Sequence, residues 1–513
     1  MKEVSEPSSS SSNTKYFIGI LLAAVALRLI ALPFSNPVVA DATSRIFIAW
    51  EWMEHPNLIT SGGWLPLHFY LIAGSLWLWF DPLYSPVCLH IIFSIATAIP
   101  LWAFIRREWG ESEALFVSAA YLLYPVCVRH SYMAEVHAPF LFFLALAMYF
   151  VSRARGNPNF TYPFLAGVSI ALASALRYEG WLLIPLLALI FWRKWLAMLA
   201  FLIPACLFPI SWLIGNLSHG GQPIAQLSAV HGMQLELNEK LGIAEVIRRS
   251  LYFPSVIFWG LTPLLCILCI WGIYAAFRHY KKQRVWLIPF FGLLLIFEIG
   301  AAMGLISTAQ TRHSTILGLL LLPFSAEAFA SIKSQKNARN IAILVLVAML
   351  PFSYIRVILS RVAGPTFPNP FPVDLEAIPK IKEEPKTIAR IVRAQFNERT
   401  DGLIIDFFRA EGFYGWRDTY YVALASGVRP SDLYIFPGNR YQSVDNVELT
   451  RILANHPGGL LLRSNLSREM TLIERNGGKA IQVRGTDHLL WVRPITSISG
   501  ITLYRYSTMP TDG

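Results

Sequence analysis

Apolar runs long enough to cross a bilayer recur through the first 360 positions of this chain, and many of them stop at a short basic cluster. A hydrocarbon core about 30 Å thick needs about 20 apolar residues in a helix, so a chain built this way folds in lipid. The clusters are Arg106-Arg107, Arg153 with Arg155, Arg193-Lys194, Arg278 through Arg284, and Lys333 through Arg339. Loops on the cytoplasmic side of a membrane collect Lys and Arg, so these are topology determinants. The composition agrees, with 55% hydrophobic and 15% charged residues, 16 Trp and 33 Phe. The net charge of +11 therefore marks orientation, and no nucleic-acid partner is expected.

With the N-terminus cytoplasmic, the clusters fall on one side when about eleven spans are drawn. These are 16–34, 84–104, 115–128, 138–150, 160–176, 180–192, 195–214, 255–277, 286–306, 314–331 and 340–358. The first run lacks a small-x-small cleavage site and reads as a retained helix. The fold class is thus an all-α polytopic membrane bundle over residues 15–360. Residues 1–14 are Ser-rich and read as a disordered terminus.

Residues 365–513 change character after the Pro-dense stretch 365–372. Short β-rich runs (Leu403 to Ile405, Leu433 to Phe436, Leu460 to Leu462, Leu489 to Val492) alternate with helical patterns such as Ile388 to Phe396. This predicts a C-terminal α/β domain, and the odd span count places it on the extracytoplasmic side. Sequons at Asn216 and Asn465 fall on the same side, a pattern common by chance. The five Cys lie mostly in apolar runs, and Cys266-x-x-Cys269 reads as part of a bundle helix rather than a redox or zinc motif.

Polar chemistry gathers at the outer ends of the spans. The long first external loop, 35–83, carries Ile46, Trp50 and Met53 at helical spacing, with Arg45, Glu51 and Glu54 on other faces. That describes a helix lying in the membrane interface. Asp41 stands at its start, where a helix N-terminal carboxylate or a pair with Arg45 also accounts for it. A second such element, 66–80, carries His68 on an apolar face. The next external loop holds Arg129, His130, Glu135 and His137; Arg177-Tyr178-Glu179 and Arg312-His313 follow at later outer boundaries. Ionisable groups at a bilayer boundary are costly, so they pair with one another or serve a site. Arginine suits phosphate because its planar fork bonds two oxygens, and aspartate suits an acceptor hydroxyl that must lose its proton. Glu135-x-His137 alone is too short for a metal site, and no metal or other cofactor is expected. Transporters tend to show internal repeats and midplane helix breaks; neither is visible here, and a transporter or flippase of lipid-linked saccharides is the alternative reading.

Three stretches resemble the GT-C glycosyltransferases, in the branch of protein O-mannosyltransferases and lipid A aminoarabinose transferases (glycosyltransferase family 39-like). They are Asp41 with the Gly62–Pro66 turn, the run Tyr124 to Glu135, and Ala175 to Gly180 together with Arg312-His313. The resemblance covers roughly residues 16–330. Relatives often carry Asp-Glu where this chain has Asp41-Ala42, and lipid A transferases a Lys where this turn has Leu65. The resemblance implies an inverting transfer from a polyprenyl- or dolichyl-phosphate monosaccharide to a hydroxyl on a protein, lipid or glycan, at the extracytoplasmic face of a membrane, most simply a bacterial plasma membrane. It implies Asp41 as general base and Arg177 and Arg312 on the donor phosphate. Glu135, His137, Glu179, His313 and His68 then line the substrate site.

Overall fold

The computed structural model describes residues 10–34, 40–156, 159–219, 221–224, 243–278, 282–303, 313–332, 334–355, 383–406, 415–436, 446–475 and 478–510. The chain divides into two compact units. One comprises Met1–Ser35, Leu58–His68 and Cys88–Ile378; the other comprises Asn36–Asn57, Phe69–Val87 and Pro379–Gly513.

The first unit is the helical bundle. Seven helices among the described residues have the length and apolarity to cross a membrane, and nine do if two bent pairs each count as one span. Two further expected spans are the shorter apolar helices Thr161–Ser174 and Glu179–Phe191. Within the described residues all eleven predicted segments are therefore helical, although four are short or bent. The bends have local causes. Glu111–Leu122 turns by 57° into Pro125–Ser131, and Val246–Gly260 turns by 109° into Pro263–Arg278. Proline donates no N–H and clashes with the preceding turn, so each break falls just ahead of one.

The first break is bridged from elsewhere in the bundle. Arg28, fully buried in the first span, donates to the carbonyl of Leu122 (3.3 Å), to Ser94 Oγ (3.3 Å) and to Tyr354 Oη (2.9 Å). Ser353 Oγ donates to the neighbouring Leu123 carbonyl. A carbonyl released by a bend inside lipid needs such a donor, because water cannot supply one. Elsewhere helices close on small residues: a Cβ at Gly272 would lie 1.6 Å from the Phe324 carbonyl oxygen.

The basic clusters converge. Arg107 donates to the Ser152 carbonyl (3.1 Å), Arg155 to Glu108 (3.1 Å) and to the Lys282 carbonyl (2.7 Å), and Lys194 to the Arg155 carbonyl (3.0 Å). Four loops far apart in sequence thus meet at one end of the bundle, as a common cytoplasmic face requires.

The second unit contains the seven-stranded sheet: β1 (Asp401–Asp406), β2 (Leu433–Ile435), β3 (Gly458–Ser464), β4 (Met470–Arg475), β5 (Gly478–Val483), β6 (Leu489–Ile498) and β7 (Ile501–Ser507). Its order is β2-β1-β3-β7-β6-β5-β4. β1 pairs in parallel with both β2 and β3, with Leu403 opposite Leu433 on one side and Leu460 on the other. Helices Gly415–Ser426 and Asn446–Asn455 are the crossovers that parallel strands need. β3 to β7 and the remaining pairs are antiparallel. Strands β1 and β2 are buried throughout, which explains their unbroken Leu/Ile sequence. This unit also holds two helices of the first long loop, Ala40–Glu54 and Leu67–Leu78, apart from Leu67 and His68 at the start of the second.

Candidate functional site

The bundle brings three of the predicted polar clusters into one buried hydrogen-bonded network. Glu179 starts its helix immediately after Arg177, and the two form a fork. Arg177 Nε donates to Glu179 Oε2 (3.0 Å), and Nη2 donates to Oε1. Arg177 Nη1 reaches His137 Nδ1 at 2.6 Å, and His137 Nε2 lies 2.9 Å from Glu135 Oε2. On the far side of Glu179, His313 Nδ1 is 3.0 Å from Oε1. His130 Nδ1 lies 3.4 Å from Glu135 Oε2, and its ring centre is 4.3 Å from that of His137. The order along the network is therefore His130, Glu135, His137, Arg177, Glu179, His313.

Guanidinium groups only donate, so the 2.6 Å contact makes His137 Nδ1 an acceptor. The ring proton is thereby assigned to Nε2, where it faces Glu135. Burial alone would push the Glu135 carboxyl up. Hydrogen bonds from His130 and His137 outweigh it and hold Glu135 well below the ordinary carboxylate range. Phe140, 5.9 Å beneath the Arg177 guanidinium, and Phe253 and Phe297 beside His313 wall the network with aromatic faces.

His130, Glu135 and His137 also bring three metal-capable ligand atoms within 4.8 Å of one another. In sequence Glu135-x-His137 stands isolated; the fold adds His130 as the third member. The trio fits a divalent ion poorly as arranged. An ion on His137 Nε2 would displace the proton given to Glu135, and metal-bound histidines normally donate through the other nitrogen, which here receives a bond from Arg177.

Position within the bundle follows from the helices. His137 begins the span that ends at Gly156, with Arg153 and Arg155 in its last turn. Twenty residues at 1.5 Å separate the two ends by about 30 Å, so the network and the basic clusters occupy opposite ends of this span. His313 likewise begins the span ending at Ala330, whose Glu327 accepts from Trp109 near the basic end.

The Gly62–Pro66 turn belongs to the same unit and is fastened beside Arg177. Leu67 N donates to the Ala175 carbonyl (3.2 Å), and Tyr178 Oη to the Gly63 carbonyl (3.3 Å). Gly62 has φ +138°, a conformation that side chains resist, and its N–H donates to Asn216 Oδ1 at 2.8 Å. Asn216, read as a sequon, is thus buried and holds this turn. His68 lies just behind the turn, fully buried, with its Nε2 2.9 Å from His90 Nε2. Nothing in the apolar run around His90 announced it as a partner.

Asp41 sits in the first turn of helix Ala40–Glu54, in the other unit. Arg312 lies outside the described residues.

Together the bundle, its first-loop helices and the α/β tail define the class: the fold is that of the GT-C membrane glycosyltransferases. More particularly, a family model for dolichyl-phosphate-mannose-protein mannosyltransferases matches residues 54–216. The structure is similar to that of ArnT from Cupriavidus metallidurans bound to undecaprenyl phosphate, with TM-score 0.61 at 11% identity, covering 96% of this chain and 98% of that one. It is also similar to the arabinofuranosyltransferase AftD from Mycobacteria, with TM-score 0.52 at 11% identity over 99% of this chain but 40% of AftD. A comparison of the sequence with curated proteins finds no match.

Proposed function

We propose that this protein is a membrane glycosyltransferase that moves a monosaccharide from a polyprenyl-phosphate donor to an acceptor hydroxyl on the extracytoplasmic face, with inversion. The observation that carries the reading is the buried His–Glu–His–Arg–Glu–His network at the end of the bundle opposite the basic clusters. A GT-C fold gives it context, and ArnT, solved with undecaprenyl phosphate, shows that this fold can hold such a lipid.

In this reading the acceptor oxygen attacks the anomeric carbon from the face opposite the phosphate. The bond from that carbon to the phosphate oxygen breaks, and polyprenyl phosphate leaves with the electron pair. Asp41 takes the acceptor proton, and Arg177 and Arg312 balance the charge that grows on the leaving phosphate. Arg177 already gives two N–H groups to Glu179 and one to His137, so the phosphate bonds through the one hydrogen left on each Nη. His137, Glu179 and His313 hold that guanidinium, Glu135 orients His137, and all four line the sugar site; His68 acts from behind the Gly62–Pro66 turn. With the eleven spans expected from the sequence and a cytoplasmic N-terminus, the C-terminal domain lies on the extracytoplasmic side.

The test uses purified full-length protein in detergent with tritiated mannosyl undecaprenyl phosphate, and then with donors carrying other sugars. Release of undecaprenyl phosphate by the wild type, reduced at least 100-fold in Asp41→Asn with unchanged thermal stability, supports the assignment. Full turnover in Asp41→Asn removes Asp41 from the mechanism. Movement of intact donor across proteoliposomes without release favours the flippase.

A further inference from the structure

Glu54 is electrostatically misplaced in its own helix. It is the last residue of Ala40–Glu54, whose final turn contains no basic side chain, and a carboxylate at a helix C-terminus faces the negative end of the dipole. Its partner is in the C-terminal domain. Glu54 Oε2 accepts from Ser431 N at 2.8 Å, and Oε1 lies 3.5 Å from Ser431 Oγ. Ser431 belongs to the 3-10 turn Pro430–Asp432 that leads directly into β2, so the carboxylate caps an amide at the start of a sheet strand.

A second contact lies one to two turns back along the helix. Phe47 packs on Tyr420 of helix Gly415–Ser426 at 5.3 Å between ring centres, with both residues buried. Ala42, Ile46, Ala49 and Trp50 are buried as well, a stripe at helical spacing, and Trp50 meets Phe80 edge-on at 5.2 Å. Sequence patterning predicts a helix floating at the membrane interface; the structure encloses it between the α/β domain and its neighbour in the first loop.

From these contacts we infer that the C-terminal domain is the holder of helix Ala40–Glu54, with Glu54 the positioning residue that fixes the helix and so aims the Asp41 carboxylate. The inference rests on the role given to Asp41 above. The helix makes the link mechanical. Thirteen residues separate Asp41 from Glu54, about 20 Å at 1.5 Å per residue, so a 5° tilt at the fastened end moves the base by about 2 Å. A misplacement of about 1 Å can cost a reaction roughly 100-fold. A domain remote in sequence thereby sets turnover without touching substrate.

The experiment compares wild-type full-length protein with Glu54→Ala, Glu54→Gln and the double variant Glu54→Cys/Ser431→Cys. Hydrogen exchange is followed across residues 40–54, alongside release of undecaprenyl phosphate from tritiated mannosyl undecaprenyl phosphate. Glu54→Ala is expected to speed exchange in that helix about tenfold, as loss of a charge-assisted bond implies, and to leave residues 137–156 unchanged. Its kcat should fall 10- to 100-fold with KM for the donor within twofold. Glu54→Gln should stay near wild type, because its amide oxygen still accepts from Ser431 N–H. The double variant should be active when oxidised and fall to the Glu54→Ala level on reduction, a reversal that general misfolding does not produce. Unchanged exchange in Glu54→Ala, or faster exchange with unchanged kcat, overturns the role of Glu54 alone. Absence of release by the wild type with every donor overturns the transferase reading and the aiming of Asp41 with it.

Discussion

Replacing Arg177 by Met tests whether the network is held by its guanidinium. The side chains of Arg177 and Glu179 are 7% and 13% exposed, so the substitution leaves a largely buried carboxylate whose remaining partner among the described residues is His313, 3.0 Å away. Breaking a buried pair from one side costs about 3–5 kcal/mol, and the contact to His313 that remains recovers part of it. The net expectation is a loss of about 2–4 kcal/mol, visible as a fall of roughly 3–6 °C in the first melting transition of the detergent-solubilised protein. The double variant Arg177→Met/Glu179→Met removes the stranded charge along with its partner. It should melt above the single variant, because two apolar side chains of similar length replace the pair without an unpaired ion. Arg177→Lys separates charge from geometry. One ammonium cannot supply both arms of the fork and the bond to His137, so it should keep most of the stability while turnover falls at least tenfold. A single variant that melts like the wild type, or a double variant that melts below it, would refute the reasoning.

Three further outcomes are expected. Because the Glu135 carboxyl is lowered in the folded protein, its contribution is complete above the unfolded value of about 4.3 and disappears as the pH falls through the folded value; melting of the wild type between pH 7 and pH 3 should therefore drop further than that of Glu135→Gln. Gly62→Ala should lose about 1–2 kcal/mol by forcing a side chain into φ +138°, and Asn216→Ala, which deletes the acceptor of the Gly62 N–H, about 1 kcal/mol. Each can be read by denaturant-induced loss of tryptophan fluorescence. Extensive dialysis against a chelator should leave donor turnover within twofold, since His137 already spends Nε2 on Glu135 and Nδ1 on Arg177; a tenfold loss restored by a divalent ion would show that the trio rearranges around a metal.

The helical segments were legible because each depends only on its own run of apolar residues, and the strands because Leu403 to Ile405 and Leu460 to Leu462 are too short and too apolar for anything but buried sheet. The network was half legible. Arg177-x-Glu179 and Glu135-x-His137 are local, whereas their meeting depends on helices 40 residues apart packing at one level. The helix breaks carried a local sign, Pro125 and Pro263, which the length of the surrounding apolar runs concealed. His90 and Arg28 carried none, since a lone polar residue in an apolar run acquires meaning only from its partner. Helix Ala40–Glu54 shows the same limit: its polar residues read as a face turned to water until the Ser431 amide appears 377 positions later.

Arg28 also sets an order of events during biosynthesis. Its span leaves the ribosome before its partners, and Ser94, Leu122 and Tyr354 arrive successively later in the nascent chain. A guanidinium within a span costs up to about 3 kcal/mol during insertion, so the first helix enters the bilayer under strain that is only gradually relieved. The last of these hydroxyls, that of Tyr354, lies 326 residues downstream, so the surroundings of Arg28 are complete only once that helix has been translated.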